Sequence, residues 1–505
     1  MKIVKLKAYL PVIILIALLL NGCSMAENNT IRNPSPGPET IRLEPTKKST
    51  DDINLSYYHV PMMESAFASN ADSEIIGTMN DDSSTTYDSL YKIDMVKEEA
   101  SKIADIGEGY TVFNADINAD WIVWVEKNDT EWRIFQYDRP TKEKVQLDSG
   151  VYTKNTGPDF PSVNIYEDNL VYDLTLETDQ NIKTEIILTD LKNHEKKAIE
   201  EIISRNEYYG APKIYENYVV WHQGEWSNRM SADVFIYDLK NNAVRKLKIG
   251  DLNAITPAIW GNYIVLNTYL TDSPENKNIF VYNIENDILT EITKTKEVSI
   301  MEYYSPSLTH GLVTWNQNQG RSCYIYSIRD NQFHTITSAA EQISMLESWL
   351  CWRDPDDRKG LYLLPVVSLG ALLDPQGQAT IDNQIFNTNK DLLEQLQKMS
   401  PPEVLALWEE SLRTMDFNMI DTIASDEEGI ASKEEWMKEL KKDDSKLISY
   451  KVSRDYVSFG DHAIAYLLET VYQSPGGLAT KSSAPYGVNL FKQNGYWRII
   501  QNSIN

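Results

Sequence analysis

Six histidines and three cysteines are the scarcest chemical resources of this 505-residue chain, and their spacing offers little. No pair of histidines has the HExxH or HxxxH spacing that puts two imidazoles on one face for a metal ion. Nucleophile elbow, phosphate loop, dinucleotide fingerprint and CxxC pair are all missing. Asp116, Asn118 and Asp120 space their oxygens as a calcium loop does, but the loop's glycine is absent and Lys127 stands where its closing glutamate belongs. The stretch therefore reads as a polar turn, and the sequence implies neither metal nor cofactor.

Three groups of side chains remain as speculative ligand contacts. His222 sits on a strand between Trp221 and Gln223, beside Glu225. Trp124, Tyr172, Trp221 and Trp352 occupy one position of a repeated strand, where they form either a packed core or a stacking platform for sugar or peptide. Asp455, Tyr466 and Glu469 lie on strands near the C-terminus, and a carboxylate there could move a proton if burial shifted it. Nothing pairs them with a base at readable spacing, so no catalytic residue is assigned.

The elements that must position these groups are strands in a long repeat. Second strands of the repeat fall at 74–78, 121–125, 169–173, 218–222, 263–267, 311–315 and 349–353, and third strands at 90–95, 134–138, 186–191, 234–239, 279–284, 324–328 and 361–366. The period of about 45–50 residues, shortening to about 40, suits a four-stranded propeller blade and is too long for leucine-rich or ankyrin units. Proline opens several first strands (Pro161, Pro212, Pro257 and Pro306), where a missing N–H costs no ladder bond. The fold class is mainly β, a β-propeller of about seven four-stranded blades over 55–374. Six is the alternative, with 72–106 serving as closure. Trp124, Trp221 and Trp352, with Tyr137-Asp138 and Tyr237-Asp238, make the repeat look like that of TolB-type periplasmic propellers. The resemblance implies the fold far more than any function.

After residue 374 the pattern changes. Helical spacing runs through 390–399 and 401–415, with Ser400, Pro401 and Glu403 in capping positions, and a short helix is expected at 433–441. Strands follow at 447–457, 463–473, 486–493 and 496–502, with hairpin turns at Gly460-Asp461 and Asn494-Gly495. Helices leading into an antiparallel sheet, together with Leu407-Trp408-Glu409-Glu410-Ser411-Leu412, resemble nuclear-transport-factor-two-like (SnoaL-like) domains. That resemblance implies an α+β cone fold over 375–505 and a pocket within the cone.

At the other end, Lys2, Lys5 and Lys7 precede an apolar run over 8–20 and then Leu20-Asn21-Gly22-Cys23. This is a secretory signal over 1–23. Its end resembles the bacterial lipobox, which implies lipidation of Cys23 and a place on the extracytoplasmic face of the cell membrane. A polar, proline-rich linker is expected over 24–54. Cys323 and Cys351 read as two buried thiols or a disulfide. A formal net charge of −26 repels nucleic acid and anionic lipid. The expected function is that of a non-enzymatic binding or protein-interaction scaffold serving a protein or cell-envelope ligand. An extracytoplasmic enzyme, either a propeller carbohydrate lyase or a cone-fold isomerase or hydrolase, is the alternative.

Overall fold

The computed structural model describes residues 40–49, 55–79, 88–151, 160–177, 181–225, 232–270, 273–293, 303–317, 322–337, 340–356, 359–374, 380–382, 392–425, 437–438, 440, 445–482 and 486–500. Cys23, the signal segment and most of the helix expected at 433–441 lie outside the described residues.

Among the described residues seven antiparallel sheets of four or five strands follow one another, five built wholly from consecutive strands and the first and last each joined by strands from the N-terminal stretch. Counting from Met63–Ser69, the first strand of each sheet is an edge strand that touches the first strand of the next. The last sheet meets the first through Leu361–Pro365 and the Ser348–Ser69 hydrogen bond, so the sheets form a ring around an axis lined by first strands. Tryptophan is favoured on the second strand because the residue opposite it on the third is aromatic. Trp124 pairs with Phe135, Trp221 with Phe235 and Trp352 with Tyr362, and each pair is stacked.

The Tyr-Asp signature of the third strand has its own explanation. Asp138, Asp190 and Asp238 accept backbone N–H groups of the turn that follows. Asn283 and Ser327, which replace the aspartate, still accept one N–H each. Tyr237, Tyr282 and Tyr326 donate to Asn242, Asp287 and Asn331, the turn residues with positive φ. Tyrosine and turn residue are therefore chosen together.

Three of the prolines are placed differently from the sequence expectation. Pro212, Pro257 and Pro306 lie inside the strands Glu207–Tyr215, Leu252–Trp260 and Tyr303–Thr309, each within a break of register. The bulge leaves their positions outside the ladder, and the preceding Ala211, Thr256 and Ser305 have φ of 40°, 47° and 49°. Such backbone is costly for a residue with a Cβ, and here it recurs around the axis.

The stretch expected as linker is also partly structured. Thr40–Arg42 adds to the outer edge of the first sheet, and Thr46–Ser49 adds to the last sheet through Ser56–Val60. Leu43, between the two strands, is buried. Ser56–Val60 in turn pairs with Leu361–Pro365, so the N-terminal chain completes the last sheet. Pro61 occupies the turn that follows it. Cys323 and Cys351 are separate, buried thiols, and burial pushes Cys323 up to about 12.

Beyond the ring, α1 (Leu392–Lys398), α2 (Pro401–Thr414) and α3 (Phe417–Ile423) pack on a six-stranded antiparallel sheet. The Glu403 carboxylate accepts the Ser400 N–H at 2.8 Å, fixing the start of α2. Asn494 and Gly495 both have positive φ in their hairpin turn, as a type I′ turn requires. Trp408, Ile420, Tyr450, Leu467 and Val488 fill the space between helices and sheet. The sheet's other face shares a core with the ring, where Val457, Ile464 and Tyr466 pack with Trp352, Leu364 and Val366.

Trp349 joins these parts. Its ring lies 6.3 Å from Tyr58 on the closing strand and 5.2 Å from Phe459 on the C-terminal sheet, and its Nε1 donates to the Ser73 carbonyl at 3.0 Å. Trp349→Ala is expected to cost about 3–5 kcal/mol, as large aromatic deletions from cores do. Urea unfolding of the variant checks this, and a midpoint close to wild type would show that the seam does not depend on the ring.

Candidate functional site

The first strands leave one another's edge N–H groups without a ladder partner, and side chains supply the missing acceptors. Asn114 accepts from Val163 N at 2.8 Å, Asp116 from Ile165 N at 2.8 Å and Asn164 from Ile214 N at 2.7 Å. Later in the ring Ser307 accepts from Met345 N at 2.9 Å and Ser69 from Ser348 N at 2.9 Å. At these junctions a polar side chain of one sheet holds the next, and polar residues are drawn toward the axis.

Around that axis lies a cavity of about 910 Å³, within the range of small-ligand sites. First strands of all seven sheets line it, and residues 454–456 of the C-terminal sheet complete its wall. These residues enter because the strand Lys446–Phe459 is bulged. Val452 faces Leu467 and Tyr456 faces Ala465, so three residues, 453–455, stand opposite Tyr466 alone.

The bulge is tied down at several points. Tyr215 donates to the Asp455 carboxylate, and Tyr456 donates to Asp72 Oδ1 at 2.7 Å. Tyr466 shares a hydrogen bond of 3.0 Å with His310 Nδ1. The Ser73 hydroxyl donates to the Ser458 carbonyl, and Ser458 N donates to the Ala71 carbonyl at 3.2 Å.

Two features define the wall. The first is an arc of rings from successive sheets. Tyr166 lies 5.0 Å from Tyr215, Tyr215 lies 6.0 Å from Trp260, and Trp260 lies 5.2 Å from His310. The second is an excess of carboxylates, among them Asp72, Asp116, Glu167, Glu347 and Asp455, against the bases Lys213 and Arg454. Withdrawal from bulk water pushes Asp455 up to about 6, against the hydrogen bond from Tyr215. Glu347 is open to the solvent of the cavity itself, and its enclosure by the surrounding wall, followed by Asp455, Asp116 and Asp72, raises it above the usual range. Burial raises Asp116, lowers Lys213 and holds His310 neutral, down to about 3.

Of the residues singled out in the sequence, Asp455 faces this cavity. Tyr466 is fully buried behind it against His310. Glu469 does not join them. It pairs with Lys481 at 2.5 Å and Lys451 at 4.0 Å, which holds its carboxyl below the usual range. Trp124, Trp221 and Trp352 are core between sheets, at most 2% exposed, and Tyr172 is buried with them. His222 is buried opposite Gly210 with its ring edge-on to Tyr208, and burial pushes it down to about 4. Of the Asp116–Asp120 stretch, expected as a turn, Asp116 and Ile117 end the first strand Thr111–Ile117 and only 118–120 form the turn into the second.

Side chains including Trp408 and Ile420 pack between helices and sheet, where the sequence leads one to expect a pocket, and the axial cavity lies against the sheet's other face. Glu347, Tyr166, Tyr215 and Trp260 were not anticipated. The last three end their first strands at one repeat position, Tyr-Glu, Tyr-Glu and Trp-Gly, a signal readable once the strands are aligned. Within the C-terminal domain Glu409 is also buried, and burial pushes it up to about 8.

No protein-family model and no curated protein matches the chain. Among solved structures, an oligogalacturonate lyase in complex with manganese is similar at a TM-score of 0.51 and 13% identity, covering 66% of this chain and 99% of that one. The oligogalacturonate lyase of Vibrio parahaemolyticus has a TM-score of 0.47 at 12% identity, covering 65% of this chain and 98% of that one. TolB from Acinetobacter baumannii has a TM-score of 0.34 at 14% identity, covering 55% and 59%. The first likeness shows the fold: the ring of sheets is a β-propeller. Among the described residues no group of three His, Cys, Asp or Glu side chains is placed to hold a metal ion, and no helix is long and apolar enough to cross a membrane.

Asp455 gives a test of the site's electrostatics. Its carboxyl holds a proton more tightly folded than unfolded, so its contribution to stability is complete below its ordinary value of 3.8 and is lost as pH rises to about 6. Asp455→Asn keeps an acceptor for Tyr215 without the charge. The variant should be more stable than wild type above pH 7, by up to about 3 kcal/mol, and equal to it below pH 4. Thermal unfolding across that range checks the prediction, and a variant less stable at pH 8 would contradict it.

Proposed function

We infer that this chain is a lipid-anchored binding protein on the extracytoplasmic face of a bacterial membrane. In this reading a propeller of seven blades carries a C-terminal domain of the nuclear-transport-factor-two-like kind, and the axial cavity between them receives a ligand. The cavity carries the reading, since it is of ligand size, has aromatic and charged walls and is completed by a bulge from a second domain. The signal-like N-terminus and Leu20-Asn21-Gly22-Cys23 support the anchor.

A carbohydrate lyase is the second reading, because a similar structure is an oligogalacturonate lyase in complex with manganese. Two observations count against it. The described residues offer no three-ligand metal cluster, and the cavity's excess of carboxylates repels a polyuronate. Binding without catalysis is the better account.

Two experiments test it. Cys23→Ala should move the protein from the membrane fraction to the soluble extracytoplasmic fraction, and a variant still held by the membrane would remove the anchor. Thermal shift against sugars, peptides, amines and divalent metals should find a class that stabilises wild type, by about 2.7 kcal/mol at 100-fold excess over Kd. Ala258→Trp, which fills the cavity, should abolish that stabilisation. If no class shifts the wild type, the cavity is not a ligand site.

A further inference from the structure

We propose that the axial cavity binds a compact organic cation, an amine or guanidine on a short carbon body, with Glu347 and Asp455 as its counter-ions and the Tyr166–Tyr215–Trp260 arc as its aromatic wall. The proposal rests on the cavity being a ligand site and adds the chemical class.

Glu347 is the strongest pointer. Its side chain is exposed to the cavity from the wall, and among the described residues no hydrogen bond or ion pair reaches its carboxylate. Its backbone carbonyl accepts from Thr309 at 3.4 Å, which fixes the main chain and leaves the side chain free. Asp455 is presented by a bulge that costs the C-terminal sheet three ladder positions and is held by a single tyrosine donor. Three other carboxylates on the wall are already engaged, while Glu167 and Asp120 lie exposed at its rim. Asp116 accepts from Asn164 at 2.6 Å and Ile165 at 2.8 Å, Asp72 from Tyr456 at 2.7 Å, and Asp168 from Trp121 at 3.1 Å and Lys192 at 2.6 Å.

Two undercompensated carboxylates in one cavity repel one another, and a bound cation relieves both. The aromatic arc is a separate observation with the same meaning. Ring faces attract an organic cation through their quadrupoles, and the attraction grows when the site is shielded from water. A neutral sugar would use the rings but leave the charges uncompensated. A bare divalent metal would want three or more oxygens converging on a point, and no such group exists among the described residues.

Binding should depend on pH, because a protonated carboxyl is no counter-ion. The charged and titratable groups around Glu347 and Asp455 are Asp72, Asp116, Glu167, Tyr215, Lys213, Arg454 and His310. The acids outnumber Lys213 and Arg454, and His310 stays neutral, so affinity should rise as pH increases from 5 to 8.

The test is calorimetric titration of the folded protein with tetramethylammonium, spermidine, galacturonate, glucose and Mg²⁺ at pH 5.0 and 7.5. At least one organic cation should bind at pH 7.5 and bind about tenfold more weakly at pH 5.0, a loss of about 1.4 kcal/mol. Glu347→Gln and Asp455→Asn should each weaken it by a similar factor while unfolding no earlier than wild type at pH 7.5. If glucose, galacturonate or Mg²⁺ binds and no cation does, with Ala258→Trp blocking that binding, the cation class is wrong and the cavity site stands. Failure of every probe, with no class stabilising wild type in thermal shift, removes the cavity site as well.

Discussion

A closed ring of sheets must be fastened where its ends meet, because an open propeller leaves two first-strand edges exposed and its axis unlined. Here Ser56–Val60 runs against Leu361–Pro365 and makes the first and last sheets neighbours. The preceding chain fastens the same seam again from outside, with Thr40–Arg42 on the first sheet and Thr46–Ser49 on the last. Trp349 sits behind the seam with Tyr58 and Phe459 against it, so closure of the ring and docking of the C-terminal sheet share one side chain. Loop-closure entropy grows only slowly with chain length, so joining residues some 300 apart is affordable once strand pairing and burial reward it.

That seam makes the cavity possible. The ring brings seven first strands together, and each has an edge that its own sheet does not pair. Asparagine, aspartate and serine on one strand cap the N–H groups of the next, which explains a polar axis in a molecule whose sheets are otherwise packed by aliphatic and aromatic residues. Recurring bulges at Ala211-Pro212, Thr256-Pro257 and Ser305-Pro306 shape the wall and leave strained backbone facing the cavity.

The C-terminal sheet then does two jobs with opposite faces. One face buries the helices' apolar stripe, including Trp408 and Ile420, and the other adds Val457, Ile464 and Tyr466 to the ring's core. The bulge at 453–455 is where that second face reaches the axis. It brings a carboxylate into an acidic cavity, an arrangement that works against stability at neutral pH and in favour of a cationic occupant. A propeller with its axis closed by apolar residues would be the more stable molecule, and the retained charge points to use.

By itself the sequence determined what local rules control. Strand after strand is written in the pairing of Trp124 with Phe135 and Trp221 with Phe235, and in turn residues such as Asn242 and Asp287, because cross-strand partners and left-handed turns select residue types one at a time. The capped start of α2 and the Asn494-Gly495 turn are legible for the same reason. What the tertiary structure decided is which side chains meet. The tryptophan stripe proved to be core, Glu469 found a lysine, and a stretch composed like a linker was recruited as strands because edges far along the chain were open to it. Tyr166, Tyr215, Trp260 and Glu347 lie up to about 180 residues apart and become a wall only when the ring closes. Asp455 was visible as a candidate, but its place at the propeller axis depends on a bulge set by packing against a distant core, which no local pattern encodes.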